Sequence, residues 1–209
     1  MAMLARNRLA CGCAGVVLVG VVINLVVLVV TPVLRPELNL LEKSLSYYAV
    51  GPWGVLQAVA FATLGISSMA LGIGLGAATI RSLWVWPTVI LLAASGIASL
   101  GLVWYPIDAP GPATTLGDAH QTAGTVGGVA QLAAALAFTF VTRADPTWSG
   151  LSRTAFAMFL LALAGAVLSQ VSIWWPGLGI PMGATMRLLV APLLVLWALV
   201  ALRLRRTCA

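Results

Sequence analysis

The sequence predicts an all-α polytopic membrane protein, a bundle of six transmembrane helices with both termini cytoplasmic. Hydrophobic residues make up 61% of the 209-residue chain and charged residues 8%, and the mean hydropathy is +1.06, which leaves too little polar surface to wrap a soluble domain. Six apolar runs are long enough to cross about 30 Å of hydrocarbon, which takes roughly 20 residues at 1.5 Å each. The eleven basic residues also fall unevenly between the connections.

The spans lie at roughly 10–33, 54–79, 83–104, 122–142, 154–174 and 184–203 within one integral membrane domain, 1–209. In the first, Arg6 and Arg8 precede an apolar run of about 25 residues with no small-x-small cleavage site, so it reads as a retained signal anchor. Between the first two spans, Leu38, Leu41, Leu45 and Tyr48 recur at helical spacing with Glu42 and Lys43 turned away. This predicts a short helix lying on the membrane before Pro52 opens the second span, acting either as a lid or as a connector. The second span carries Gln57, Gly65, Ser68, Gly72 and Gly76 on one face. Before the fourth, Asp118 and Gln121 form a capping-box pattern, while Asp108 in "PIDAPGP" suits a turn acid. "GVLQAVA" at 54–60 and "GVAQLAA" at 128–134, with "VWYP" and "IWWP" ending the third and fifth spans, raise a parallel repeat of two hairpins.

Orientation follows from charge. With both termini on one side, Arg6, Arg8, Arg81, Arg143, Arg153, Arg203, Arg205 and Arg206 share that side, against Arg35, Lys43 and Arg187 on the other, so the termini are expected in the cytoplasm. Glu37, Glu42, Asp108, Asp118 and the lone His120 then lie outside. The net charge of +6 is a topology signal and calls for no nucleic-acid partner. Ten Arg to one Lys with abundant Ala, Gly and Val points to a bacterial gene of high GC content and hence a bacterial plasma membrane. Cys11, Cys13 and Cys208 fall on the cytoplasmic side and read as packing thiols, not as a metal set.

Asn24, Gln57, Gln131 and Gln170 are the strongest polar side chains within the spans and are expected to face the bundle. His120 and Gln131 share one helical stripe with Gly124 and Gly127. That stripe is either a close-packing face with glutamine as glue or the wall of an outward cavity. Tyr47, Tyr48, Trp53, Trp104, Tyr105, Trp174 and Trp175 collect at the same end, as an interfacial belt would, and next to acids they could also line a pocket. The turn lengths predict that Asp108 and His120 approach within direct or single-water hydrogen-bond reach.

"SLSYYAVGPWGVLQAVAFATLGISSMALGIGL", "GLVWYPIDAPG" and "GDAHQTAG" resemble a bacterial and archaeal family of six-helix membrane proteins catalogued as domain of unknown function 998. The pattern is S-x-Y/L-A-V-G-P before the second helix, aromatic-P-x-D after the third and a His opening the fourth. Matching positions are Ser46, Gly51, Pro52, Pro106, Asp108 and His120. The resemblance spans nearly the whole chain and implies a compact six-helix bundle, with no activity attached.

Two function classes follow. In the first, an exoplasmic aromatic and acidic pocket binds or processes a hydrophobic small molecule, a lipid or isoprenoid, by acid/base chemistry such as isomerisation or cyclisation. Asp108 and His120 are then its acid/base pair, and Glu42, Tyr48, Trp53, Gln57, Trp104, Tyr105, Asp118, Gln131, Gln170 and Trp174 its binding residues. In the second, the chain is a non-catalytic structural subunit or the partner of another membrane protein. Membrane lipids surround it in either case. Nothing resembles a phosphate loop, a dinucleotide fingerprint, a zinc H-E-x-x-H or a haem histidine pair, so no cofactor is expected.

Overall fold

The computed structural model describes residues 2–78, 80, 82–108 and 112–206; Arg81, Pro110, Gly111 and Cys208, used above, lie outside them. Among the described residues there are six long helices and no strand: α1 (Ala2–Leu34), α2 (Gly54–Ala77), α3 (Val85–Trp104), α4 (Thr115–Ala144), α5 (Ser152–Trp174) and α6 (Met182–Arg206). Each is long and apolar enough to cross a membrane, so the chain is a multi-pass membrane protein.

Consecutive helices pack side by side, and α1 closes against α6. Small residues set the approach. A Cβ on Gly65 would meet the Gly96 carbonyl oxygen of α3 at 2.7 Å, and one on Gly96 would meet the Gly65 carbonyl oxygen at 2.8 Å, so these two backbones touch only because both positions are glycine. At one end of the bundle, Gly74 of α2 lies against Cys13 and Ala10 of α1 and Leu204 of α6, which brings the start of α1 and the end of α6 to the same end. Arg6 there donates to the Ala77 carbonyl, and Arg203 donates from Nε and Nη2 to the Thr147 carbonyl at 3.1 and 2.6 Å. This is the terminal end; the opposite one, with the α1–α2, α3–α4 and α5–α6 connections, is the His120 end.

Of the largest fully buried side chains, Tyr48 is buried at the His120 end, while Leu71, Leu75, Phe138, Val141, Leu196, Val200 and Leu204 lie in the terminal half of α2, α4 and α6. Trp197 and Trp148 meet Phe138 edge to face there. Toward the His120 end α3 and α4 present Ser95, Ser99, Ala123, Gly124, Gly127 and Gly128 to the interior, so packing between them and α2 and α6 is thinner there.

Four expectations need correction. The fourth helix starts at Thr115, earlier than the span at 122, because its polar first turns are stabilised by a cap that hydropathy does not register: Thr114, not Asp118, is the N-cap, and its Oγ1 accepts from the Gly117 N–H at 3.1 Å. The segment from 36 to 49 forms no surface helix. It turns through 36–43 and tightens into a short 3-10 helix, Leu45–Ala49, because its backbone binds α6: Ala184 donates its N–H to the Leu41 carbonyl and Arg187 Nη1 to the Leu40 carbonyl. Gly183 makes that docking feasible, since a Cβ would meet the Leu40 and Lys43 carbonyl oxygens at 2.5 Å. Gln170 is exposed on α5 while its neighbour Ser169 takes the inward position, bonded to Gly165 and Thr185. Cys11 is in a disulfide and Cys13 is the free, buried thiol; two residues apart on a helix, they face in different directions.

Candidate functional site

The His120 end is organised by a loop and a turn. Gly51 adopts φ +79°, a left-handed conformation that glycine takes without strain, and thereby turns the chain from the 3-10 helix into α2. Arg35, just past α1, fastens this turn by donating from Nη1 to the Val50 and Pro52 carbonyls at 2.6 and 3.0 Å, while its Nε pairs with Glu37. That Arg35 bond is the main reason the Glu37 carboxyl lies below its ordinary pKa.

His120 sits in the second turn of α4, 2% exposed, with both ring nitrogens engaged. Nδ1 lies 2.6 Å from the Tyr105 carbonyl oxygen and Nε2 lies 2.8 Å from Ser46 Oγ. A carbonyl only accepts, so Nδ1 carries a proton and, in the neutral ring, Nε2 accepts from the Ser46 hydroxyl. Phe61 of α2 stands edge-on to the imidazole, 6.1 Å between centroids. Tyr105 is the residue that ends α3, so one histidine joins α3, α4 and the 3-10 helix.

Asp108 does not bond to His120. Its carboxylate accepts from the Thr114 N–H at 3.0 Å and from Thr114 Oγ1 at 2.6 Å, and it packs on Gly117, where a Cβ would meet Oδ1 at 2.6 Å. The physical reason is local: the free N–H groups that open α4 lie nearer along the chain than the imidazole, whose nitrogens already have partners. The Thr114 hydroxyl, followed by the Thr114 N–H, holds the Asp108 carboxyl below its usual range. A lowered folded-state pKa contributes stability that is present above the ordinary value and lost as pH falls through the lowered one. Thermal unfolding in detergent should therefore decline more steeply below about pH 4 in the wild type than in Asp108→Asn, which starts lower at neutral pH. Parallel acid profiles would remove this cap from the account.

Behind this cluster lies a cavity of about 140 Å³ enclosed by α2, α3, α4 and α6. Leu45 and Ser46 stand at its His120 end, and Gln131 and Trp197 at its deep end. Gln131, 6% exposed, donates from Nε2 to Ser68 Oγ at 2.6 Å and accepts from Trp197 Nε1 at 2.7 Å, which ties α2, α4 and α6 together. On the α3 wall the Ser95 hydroxyl is buried with no hydrogen-bond partner. Gly124 on the α4 wall is exposed, which leaves the cavity a lateral rim.

Of the residues expected at a site, Gln131 lines this cavity. Gln57 is 5% exposed and, like Gln131, faces the bundle, but it does not border the cavity. Tyr48 is fully buried, its hydroxyl donating to the Leu38 carbonyl and its ring under Arg187. Trp53, Trp104, Tyr105 and Trp174 expose their side chains at the His120 end, Trp104 to 72%, and Glu42 and Asp118 are also exposed; none of these six lines this cavity. Ser46, Ser95, Ser99 and Trp197 also line the cavity and were not expected there; Ser46 alone had a signal, its place in the S-x-Y/L-A-V-G-P pattern. Among the described residues no group of three or more His, Cys, Asp or Glu side chains converges as a metal would require.

The six positions shared with the family pattern thus gather at one end: Ser46 with His120, Asp108 on the cap of α4, Gly51 and Pro52 under Arg35, and Pro106 directly after the carbonyl that holds the imidazole. No curated protein and no solved structure matches the chain. The family model described as "Protein of unknown function (DUF998)" matches residues 18–203, and the chain belongs to that family.

Proposed function

We propose that the protein resides in a bacterial plasma membrane and takes the chain of a hydrophobic small molecule, a lipid or isoprenoid, into the cavity between α2, α3, α4 and α6. One observation carries this reading: α3 and α4 present Ser95, Ser99, Gly124, Gly127 and Gly128 opposite Leu64, Leu189 and Leu193 of α2 and α6, so the helices enclose space. At about 140 Å³ the space compares with engineered apolar cavities of about 150 Å³ that hold benzene, and falls below the roughly 300 Å³ at which pockets begin to take whole drug-sized ligands. The occupant is therefore a chain end or a single isoprene-sized unit, with the rest of the molecule in the bilayer or at its surface. The exposed Gly124 on the α4 wall is where a chain would enter. Trp53, Trp104 and Trp174 are exposed at the His120 end, at the level where headgroups would lie.

Gly128 supplies the test. It lines the cavity, and a Cβ there would meet nothing within 4 Å. Gly128→Leu should fold, gaining helix propensity, while its side chain occupies the space. Lipid extracted from purified wild-type protein should contain a defined hydrophobic species at near-stoichiometric level, reduced about tenfold or more in Gly128→Leu. Equal lipid in the two proteins would defeat the binding reading and favour the structural-subunit class.

The same reading places both termini in the cytoplasm. Topology reporters after Ala209 and after Arg143 should report cytoplasm and one at Gly111 the outside; the reverse pattern would place the cavity mouth on the inner face.

A further inference from the structure

We infer that Ser46 and His120 are a nucleophile and its general base, and that the reaction they serve is acyl transfer on an ester whose chain occupies the cavity; this rests on the binding reading above. Three features of this end of the bundle converge. Ser46 Oγ lies 2.8 Å from His120 Nε2, within the reach that proton abstraction needs. The base is oriented by a third group, since the Tyr105 carbonyl, 2.6 Å from Nδ1, keeps the proton on that nitrogen and leaves Nε2 as the acceptor. Ser46 also lines the cavity, so its hydroxyl belongs both to the buried base and to the space where an apolar chain would lie.

The Tyr105 carbonyl at the end of α3 keeps the Nδ1 proton in place whether the ring is neutral or has taken the Ser46 proton. His120 is 2% exposed and flanked by Phe61, so water does not compete for Nε2. From Ala123 to Gln131 the cavity wall runs about 12 Å along α4, which leaves room for a chain below an ester held at Ser46. Asp108, engaged at the cap of α4, takes no part.

The step balances without a cofactor. Nε2 takes the Ser46 proton as Oγ bonds to the ester carbonyl carbon. The carbon–oxygen bond to the alcohol breaks, and Nε2 returns the proton to the departing oxygen. Water, or the hydroxyl of a second lipid, then attacks the acyl-serine by the reverse sequence, giving up its proton through Nε2 to Ser46 Oγ. The products are a free acid or a new ester, and the serine hydroxyl and neutral imidazole are restored.

The test uses the full chain in detergent with two serine-directed alkyl fluorophosphonates, one long-chained and one carrying only a methyl group, with adducts located by peptide mass spectrometry. Both should modify Ser46 in the wild type and neither should modify Ser46→Ala. His120→Asn, whose amide still donates to the Tyr105 carbonyl and so preserves the fold, should label about a hundredfold more slowly. Gly128→Leu should suppress labelling by the long-chain probe and leave the methyl probe unchanged. If wild-type Ser46 takes neither probe while a hydrophobic molecule still co-purifies and is displaced by Gly128→Leu, this inference is overturned and the binding reading stands. If Ser46 is labelled equally in the wild type and His120→Asn, the base assignment is overturned. If no molecule co-purifies and the long-chain probe is indifferent to Gly128→Leu, both readings are overturned.

Discussion

Replacing Gly165 by leucine should prevent α5 from seating on α6, with a loss of about 3 kcal/mol in unfolding free energy and a sharp fall in the amount of folded protein recovered. A Cβ at Gly165 would lie 2.7 Å from the Leu188 carbonyl carbon and 2.8 Å from the Thr185 carbonyl oxygen, which are backbone atoms of a helix and cannot rotate away. The only relief is to separate the helices, which also breaks the Ser169 to Thr185 hydrogen bond of 2.9 Å on the same seam. In lipid no hydrophobic force pulls the helices back together, because the solvent is as apolar as the contact being lost. The control is Gly12→Leu on α1, where a Cβ would meet nothing within 4 Å, and it should be neutral. Equal thermal stability of the two variants in detergent would show that α5 is not held by this contact.

The second large effect is expected at Gln131. Gln131→Leu keeps the volume roughly constant but strands the Trp197 indole N–H and removes the partner of Ser68. Single interhelical hydrogen bonds in bilayers average about 0.6 kcal/mol, and a buried donor left unpaired costs about 1–3 kcal/mol. Two bonds lost together with a donor-only indole left in an apolar surround should therefore cost about 2 kcal/mol. Gln170→Leu, by contrast, removes an exposed amide from α5 and should be neutral or stabilising. A thermal shift of the same sign and size for both substitutions would show that Gln131 is not the tie between α2, α4 and α6.

The contrast between these two glutamines marks where sequence reasoning stops. Both are amides in apolar spans, and composition alone asks each to face inward. On α5 the inward stripe is occupied by Ala155, Ala162, Gly165 and Ser169, and Gln170 follows one residue later, about 100° away around the helix. The choice depends on which stripe of α5 the neighbouring helix selects, and small residues that admit a backbone outweigh a single amide. Asp118 fails for a related reason: the capping-box pattern is present, but Thr114, four residues earlier and bonded to Asp108, had already started the helix.

At the level of the whole chain, sequence by itself determined that this is a membrane protein of six helices, with its family and the inward direction of Gln57 and Gln131, because each of those properties is set by hydropathy, helical period and short motifs along the chain. It also brought attention to Asp108 and His120, since polar side chains are rare in such a chain. Only the tertiary structure decided what they meet. Ser46 lies 74 residues from His120, and Tyr105 takes part through a backbone carbonyl that every residue type possesses, so no local pattern announces either bond. The cavity is of the same kind: it exists because glycines and serines from α3 and α4 come opposite leucines of α2 and α6, and empty volume is a property of how surfaces fail to meet, which no stretch of chain carries alone.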